Sequence, residues 1–178
     1  MQPSVHIARP ERTDDGAFCA RIAQMVNAAY AVGEAGMWRP DTPRTTPDDI
    51  AELIAAGELL VAHRRGDALG CVRVQPLDDA TWGFGMLAVA PDNQGGGTGG
   101  ALVDAAEEHA REGGAATMQL EILTPTDAVN PNKARLQRWY AARGYALDRS
   151  DAVEDHLPEL VPLLAGPCTY DVWRRRLA

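Results

Sequence analysis

The segment PDNQGGGTGG at residues 91–100 constrains this chain more than any other, because five of its ten residues are glycine. Glycine loses more conformational entropy on folding than any other residue, so such a cluster indicates backbone at positive φ or a close approach to a ligand. A nearly continuous apolar run at 81–90, TWGFGMLAVA, precedes it and predicts a central buried strand. A helical pattern follows, whose apolar face is Leu102, Val103, Ala106 and Ala110. A glycine loop between a strand and a helix is typical of phosphate binding, through backbone N–H groups and the positive end of the helix dipole.

Hydrophobic periodicity and capping residues predict the other elements. Strands are predicted at 4–8, 58–65, 68–76, 116–123 and 168–176, and helices at 14–30, 47–56, 101–112 and 131–142. Thr46 and Asn130 are the predicted N-caps of two helices, each followed by a proline. Glu107 and Arg111 stand four residues apart, which predicts a pair on the solvent side of their helix. The order of elements predicts a mixed α/β fold around one sheet, and the length predicts one domain over residues 1–178.

Composition disfavours several classes of function. The net charge of −8 makes nucleic acid an unfavourable partner. The sequence has no run of about 18 apolar residues, so we expect no membrane-spanning helix. Cys19, Cys71 and Cys168 stand singly, and no metal-ligand spacing is present, so we expect neither disulfides nor a metal site. Scattered cysteines and an N-terminus without an apolar signal core predict a cytoplasmic protein.

Three phosphate-binding templates compete for the glycine loop. The P-loop of nucleotide hydrolases needs Lys and then Ser or Thr after its last glycine, where this chain has alanine and leucine, so it is rejected. The dinucleotide fingerprint G-x-G-x-x-G is matched by Gly95, Gly97 and Gly100, with Glu121 about 20 residues further on as the ribose-binding acid. Against it, four residues separate the strand from the first glycine, and only one strand–helix–strand unit surrounds the loop. A dinucleotide-binding oxidoreductase module therefore stays an alternative.

The third template is Q-x-x-G-x-G at the start of a helix, which Gln94, Gly97 and Gly99 fit. With Val89 and Pro91 before it, the segment resembles the V-x-P-x-x-[QR]-x-x-G-x-G/A signature of the GNAT superfamily of N-acetyltransferases. In that family the signature lies between the central strand and a long helix. The element order of the whole chain matches as well.

A second motif resembles the same family. GNAT proteins often carry a tyrosine four residues before a Gly-aromatic pair at the end of the next helix, and Tyr140, Gly144 and Tyr145 have this spacing. The two motifs together cover residues 82–145. The resemblance implies a GNAT-like, mostly antiparallel sheet with helices on both faces. It also implies transfer of an acetyl group from acetyl-CoA to a primary amine of a small molecule, peptide or protein.

The resemblance assigns a cofactor site to the strand end and the loop. The loop would wrap the pyrophosphate of acetyl-CoA, and the strand would hydrogen-bond the pantetheine arm and polarise the thioester carbonyl through its backbone. The residues that it implicates are Leu87, Ala88, Val89, Gln94, Gly95, Gly96, Gly97, Thr98 and Gly99. Dimers are common among such proteins, so a homodimer stays open alongside a monomer.

Tyr140 is the predicted partner of the leaving thiolate, because a phenol with a pKa of about 10 is protonated at neutral pH and can donate a hydrogen bond. Without the family spacing it would be interpreted as a core aromatic residue. The base is harder to assign, since TWGFGMLAV lacks the carboxylate that many relatives place on this strand. Glu121 on the next strand is the nearest replacement, and Asp78 or Asp79 is a weaker one.

The acceptor site is predicted in the loop between the first two helices, the region that shapes it in GNAT proteins. Trp38 and Arg39 lie there and could bind a ring or a carboxylate, although Trp38 could equally anchor the loop. A family asparagine seven residues before the tyrosine falls on Lys133, so it does not transfer. Because the strand carboxylate is missing, a non-catalytic acyl-CoA sensor of the same fold stays open as an alternative to an enzyme.

Overall fold

The computed structural model describes residues 3–177, and its strands form one seven-stranded sheet. The strands are β1 Ser4–Ile7, β2 Leu59–Arg64, β3 Asp67–Pro76, β4 Thr81–Val89, β5 Thr117–Pro125, β6 Ala146–Ala152 and β7 Cys168–Arg176. They lie in the order β1-β2-β3-β4-β5-β7-β6, and β4 with β5 is the one parallel pair between described strands. This mostly antiparallel sheet confirms the predicted fold class and differs from the parallel, doubly wound sheet of dinucleotide-binding folds.

The described part of the chain has four α-helices, and the signals that begin them are local. They are α1 Gly16–Gly33, α2 Pro47–Ala55, α3 Thr98–Glu112 and α4 Pro131–Ala142. The Thr46 hydroxyl accepts from the N–H of Asp49, and the Asp49 carboxylate accepts from the N–H of Thr46, which forms a capping box. The side chain of Asn130 accepts from the N–H groups of Asn132 and Lys133 at the start of α4. Both predicted N-caps are therefore confirmed.

The helices cover both faces of the sheet. Successive residues of β2 point to opposite faces, which separates two apolar cores. One core joins α1 and α2 to the sheet through Ile22, Val26, Ile50, Ile54, Leu59, Val61 and Cys71. The other joins α3 and α4 to the opposite face through Leu60, Val72, Phe84, Leu102, Val103, Ala106, Ala110, Met118 and Tyr140. The predicted apolar face of α3 is confirmed, since its four residues are fully buried.

The parallel pair of strands is joined over its first residues only. The ladder runs from Thr81 opposite Thr117 to Gly83 opposite Gln119, whereas both strands continue for several residues more. The pairing of β4 with β3 shifts by one residue near Met86, which has a φ of 49°. Such a bulge bends a strand and increases its twist. The bend leaves a gap between the carboxyl-terminal halves of β4 and β5.

Glu107 on α3 contradicts the predicted solvent-facing pair. It is only 3% exposed, and its carboxylate accepts hydrogen bonds from the Tyr145 hydroxyl at 2.8 Å and from Arg175 at 2.8 and 2.9 Å. Arg111 lies 3.6 Å from the same carboxylate, so the pair exists but on a buried face. The prediction was wrong because residues from β7 and from the end of α4, distant in sequence, cover that side of the helix.

Candidate functional site

A cavity of about 740 Å³ lies in the gap between β4 and β5. Its walls include Phe84, Met86 and Leu87 from β4 and residues 120–123 from β5. Helix α1 borders it with Tyr30 and Glu34, and α4 borders it with Leu136, Trp139 and Tyr140. Because α1 and α4 cover opposite faces of the sheet, the cavity passes through the sheet from one face to the other.

The glycine loop lines the same cavity at the start of α3. Gly95 and Gly97 have φ values of 78° and 82°, in the left-handed region that side chains other than glycine rarely adopt. Gly97 is the N-cap of α3 and provides no side-chain cap, so the N–H groups of the first turn keep their donor capacity. Uncapped N–H groups at the positive end of a helix dipole form a site for an anion such as phosphate.

Most of the residues that the sequence assigned to the cofactor lie on this cavity. Those that line it are Leu87, Val89, Gln94, Gly95, Gly97 and Gly99. Ala88 points away from it and packs in the core under α1. Gly96 is exposed in the loop, and Thr98 is 1% exposed with its hydroxyl buried and without a hydrogen-bond partner among the described residues. For Ala88, Gly96 and Thr98, contact with a ligand is therefore limited to the backbone.

The backbone of β4 also borders the gap. Since the ladder to β5 ends at Gly83, the β5-facing backbone groups of residues 84–89 are not used by that ladder. The bulge at Met86 lies within this stretch. A strand edge with free N–H and C=O groups can bind an extended ligand in the way that it would bind another strand.

Tyr140 forms part of the cavity wall opposite α1. It is 4% exposed, and its ring packs on Phe84, Trp139 and Tyr145 at centroid distances of 5.8, 4.9 and 5.8 Å. Burial raises the pKa of the Tyr140 phenol well above its ordinary value, so the hydroxyl is protonated at any physiological pH. No described side chain or backbone group is hydrogen-bonded to this hydroxyl, which leaves it available to a ligand.

Glu121 borders the cavity from the face of the sheet that α1 covers. On β5 it lies between the buried Leu120 and Ile122, whose side chains point to the opposite face and pack toward α3. The amide of Gln119 donates to the Glu121 carboxylate at 2.6 Å, and Arg174 donates to Gln119 at 2.8 Å. This chain of hydrogen bonds fixes the orientation of the carboxylate. None of the described cations lies within 4 Å of the Glu121 carboxylate. A positively charged group of a ligand in the cavity could therefore pair with it.

The weaker candidates for the base lie elsewhere. Asp78 and Asp79 are exposed in the turn before β4, and neither is among the lining residues. The Asp78 carboxylate accepts from the N–H groups of Ala80 and Thr81, and these bonds lower its pKa. Asp78 is therefore a turn residue.

The two predicted acceptor residues differ in their surroundings. The indole N–H of Trp38 donates to the Glu34 carboxylate at 2.6 Å, and Glu34 lines the cavity. Arg39 is exposed, is not among the lining residues, and its backbone N–H donates to the carbonyl of Leu163. Trp38 does not line the cavity itself but holds Glu34, which does. The role of Arg39 stays a prediction.

The sequence did not indicate four charged residues that line the cavity. They are Glu34, Arg44, Lys133 and Arg135, of which Glu34 and Lys133 are 6% and 7% exposed and Arg135 is exposed. Lys133 could have been noticed because it holds the position of the family asparagine. Nothing near Glu34 or Arg44 in the sequence distinguishes them from ordinary surface residues, since their partners belong to other elements.

Within residues 3–177, no group of three or more His, Cys, Asp and Glu side chains is arranged to hold a metal ion. None of the helices in the same part of the chain is long and apolar enough to cross a membrane.

Comparison with protein families identifies one domain. A family model described as an acetyltransferase (GNAT) domain matches residues 55–147, just over half of the chain. A search among curated proteins gave no match.

Solved structures with the same fold cover nearly the whole chain. The structure of yncA from Salmonella typhimurium with its cofactor acetyl-CoA has 18% identity and a TM-score of 0.69, over 100% of this chain and 95% of that one. Ard1 from Thermoplasma volcanium has 18% identity and a TM-score of 0.67, over 100% and 99%. The ribosomal-protein-S18-alanine N-acetyltransferase from Escherichia coli has 16% identity and a TM-score of 0.66, over 99% and 94%. At these identities the likeness establishes the fold.

Proposed function

The chain belongs to the GNAT acetyltransferase family, and on this premise we propose that it transfers an acetyl group from acetyl-CoA to a primary amine by direct attack. The observation that carries the proposal is a continuous cavity through the sheet. It joins an anion-binding glycine loop to two polar side chains, Tyr140 and Glu121, on opposite faces. A transferase needs such a passage, because its two substrates must meet from different sides.

The residues present fit acetyl-CoA at the glycine loop and the β4 edge. The N–H groups from about Gly95 to Gly99 would hold the pyrophosphate, and the free backbone of Leu87 to Val89 would hold the pantetheine arm. Acetyl-CoA supplies an acetyl group activated as a thioester. Three of the similar solved structures were determined with acetyl-CoA, which supports the same cofactor here.

Tyr140 and Glu121 would have separate tasks. The raised pKa keeps the Tyr140 hydroxyl protonated, so it donates a hydrogen bond to the thiolate that leaves. Glu121 would accept a proton from the amine, directly or through water, as a carboxylate already oriented by Gln119. For an alkyl amine with a pKa of about 10.4, loss of that proton costs roughly 4–5 kcal/mol at pH 7, so assistance matters most for such acceptors.

Thermal unfolding with acetyl-CoA, NAD⁺ and ATP in parallel tests the cofactor. A ligand at about 100 times its dissociation constant stabilises the folded state by about 2.7 kcal/mol, which raises Tm by roughly 5–10 °C for a chain of this length. We expect this shift with acetyl-CoA alone. A shift with NAD⁺ alone would refute the proposal and support the dinucleotide alternative.

The sensor alternative is separated by Tyr140→Phe. An acetyltransferase should lose about 10²-fold or more in kcat with the affinity for acetyl-CoA unchanged, because the hydroxyl acts on the leaving group. Tyr145→Phe is the matched control: Tyr145 packs on Tyr140, does not line the cavity and donates its hydroxyl to Glu107, so this variant should retain kcat even if it is less stable. No activity in a broad amine screen with free-thiol detection, together with acetyl-CoA binding, would favour a binding protein. Equal activity of the protein and both variants would instead exclude Tyr140 from the mechanism.

A further inference from the structure

A buried group of charges forms the part of the cavity wall nearest α1. It consists of Glu34 at the end of α1, Arg44 in the loop before α2 and Lys133 in the first turn of α4, and we call it the charged cluster. Glu34 and Lys133 are 6% and 7% exposed, and the side chain of Arg44 is 27% exposed. Buried charges are costly unless they are paired, so the pairing within the cluster shows what it can still bind.

The donors of the cluster already occupy the Glu34 carboxylate. Lys133 Nζ lies 2.5 Å from Oε1, Trp38 Nε1 donates to Oε2 at 2.6 Å, and Arg44 Nε lies 3.5 Å from Oε2. One carboxylate therefore faces two cations, which leaves the cluster with a net charge of +1. Glu34 has little capacity for another donor and is not placed to act as a base.

Arg44 is the member with free donors. Its guanidinium makes no hydrogen bond of good geometry to any described residue, and its Nε atom is buried without a partner. The guanidinium carbon lies 4.1 Å from the centroid of the Trp38 ring and 5.0 Å from that of Tyr30, so both aromatic rings fix its plane. A planar guanidinium with free N–H groups is suited to hold a carboxylate through two parallel hydrogen bonds.

The backbone at Arg44 is held in place by α1. The Asn27 side-chain oxygen accepts from the N–H groups of Arg44 and Thr45 at 2.8 and 3.2 Å, and its amide donates to the Thr45 carbonyl at 2.9 Å. Three hydrogen bonds from one side chain fix the loop at this point. Arg44 is therefore preorganised, which lowers the entropy that a ligand loses on binding.

Lys133 adds to the same preference for an anion. A cation in the first turn of a helix is opposed by the helix dipole, and this one is also buried. Glu34 compensates for one positive charge of the cluster, and an anionic ligand would compensate for the second.

The part of the cavity wall that β5 forms has the complementary charge. The Glu121 carboxylate lines the cavity and, within the described residues, has no salt-bridge partner. A guanidinium with unused N–H donors and a carboxylate that no described cation contacts thus line one cavity. We propose that the acceptor is a small zwitterionic molecule whose carboxylate binds Arg44 and whose amine is directed to Glu121. The assignment of the amine rests on the proposed function, whereas the carboxylate site does not.

Binding of a matched pair of probes tests the carboxylate site without turnover. Propionate and propionamide have the same shape and differ in charge, and saturation-transfer NMR detects binding at millimolar affinity. We expect the protein to bind propionate at least tenfold more tightly than propionamide. Arg44→Gln should abolish this preference, and Arg44→Lys, which keeps the charge without the planar fork, should retain part of it.

Arg138→Gln is the control, because Arg138 is exposed on α4 and does not line the cavity. It should bind propionate as the unmodified protein does. Equal binding of the two probes, absence of propionate binding, or full propionate binding by a folded Arg44→Gln variant would each overturn the inference. If Arg44→Gln fails to fold, Arg44→Lys replaces it in the test. An unchanged preference of Arg44→Lys for propionate over propionamide would then refute carboxylate binding by the planar guanidinium.

Acetyl-CoA separates this inference from the proposed function. The Tm shift with acetyl-CoA should be the same in Arg44→Gln and in the unmodified protein, because the glycine loop does not include the cluster. A lost shift would mean that Arg44 binds a phosphate of the cofactor instead of an acceptor, and would overturn the inference. Propionate binding through Arg44 without any shift by acetyl-CoA would retain the carboxylate site and refute the acetyltransferase. In a screen with acetyl-CoA, amino acids should be acetylated at least tenfold faster, in kcat/KM, than their amides.

Discussion

The conformation of Gly97 leads to a prediction with a calculable magnitude. Gly97 is the N-cap of α3 at a φ of 82°, and a Cβ atom built on it would meet no heavy atom within 4 Å. The cost of Gly97→Ala is therefore conformational and not steric. An alanine in the left-handed region costs about 1–2 kcal/mol. For a chain of this length, that loss lowers Tm by roughly 2–8 °C.

Gly96→Ala provides the matched control one residue away. Gly96 does not have a positive φ, and its added Cβ would lie 3.5 Å from the Asn93 carbonyl, an ordinary contact. This change should leave Tm unchanged or raise it slightly, because alanine restricts the unfolded chain more than glycine does. Gly97→Asn should lose less than Gly97→Ala, since asparagine tolerates the left-handed region better.

The assay is thermal unfolding of the three variants, each with and without acetyl-CoA. Gly97→Ala should also weaken acetyl-CoA binding, because Gly97 sets the direction of the N–H groups that begin α3. Equal losses of Tm for Gly96→Ala and Gly97→Ala would refute the conformational argument. An unchanged acetyl-CoA shift in Gly97→Ala would refute the role of the loop in binding.

Three further predictions concern buried and oriented groups. Glu107→Gln leaves Arg175 without its carboxylate partner and should lower the free energy of unfolding by about 2–3 kcal/mol in urea, whereas the exposed Glu108→Gln should change it by less than about 0.5 kcal/mol. Burial raises the pKa of the Cys71 thiol from 9.0 to about 12, so between these pH values the native state keeps a proton that the unfolded state loses. The free energy of unfolding should therefore fall as pH rises from about 9 to 12. In urea titrations, Cys71→Ala should make this decrease with pH smaller. Glu121→Gln should lower kcat about 10²-fold at neutral pH with the affinity for acetyl-CoA unchanged, and an unchanged kcat would exclude Glu121 as the base.

The bounds of most elements could be predicted from the sequence, because the interactions that set them are local. Thr46 and Asn130 cap their helices through residues at most three positions away, and α3 ends at Glu112, as predicted. The edge strand β6 is the exception, since its residues are almost all exposed and show no apolar alternation. Its pairing with β7 is not visible in any short window of sequence.

The candidate site was predictable in part. The glycine loop and Tyr140 stand in motifs with fixed spacing, and the structure places both on one cavity. The sequence predicted an acceptor site in the loop after α1, but it did not show that Arg44, and not Arg39, lines the cavity. That depends on Asn27, which holds the backbone at Arg44 and leaves Arg39 at the surface.

By itself, the sequence determined the family and the order of most elements, and it predicted phosphate binding by the glycine loop, because each rests on residues a few positions apart. Only the tertiary structure decided the environment of the charged groups. Glu107 is buried because Tyr145 and Arg175 come from 38 and 68 residues away, and Lys133 meets Glu34 across 99 residues. The free energy of a charged side chain depends on its solvation and its partners, and both are set by chain segments that meet only after folding.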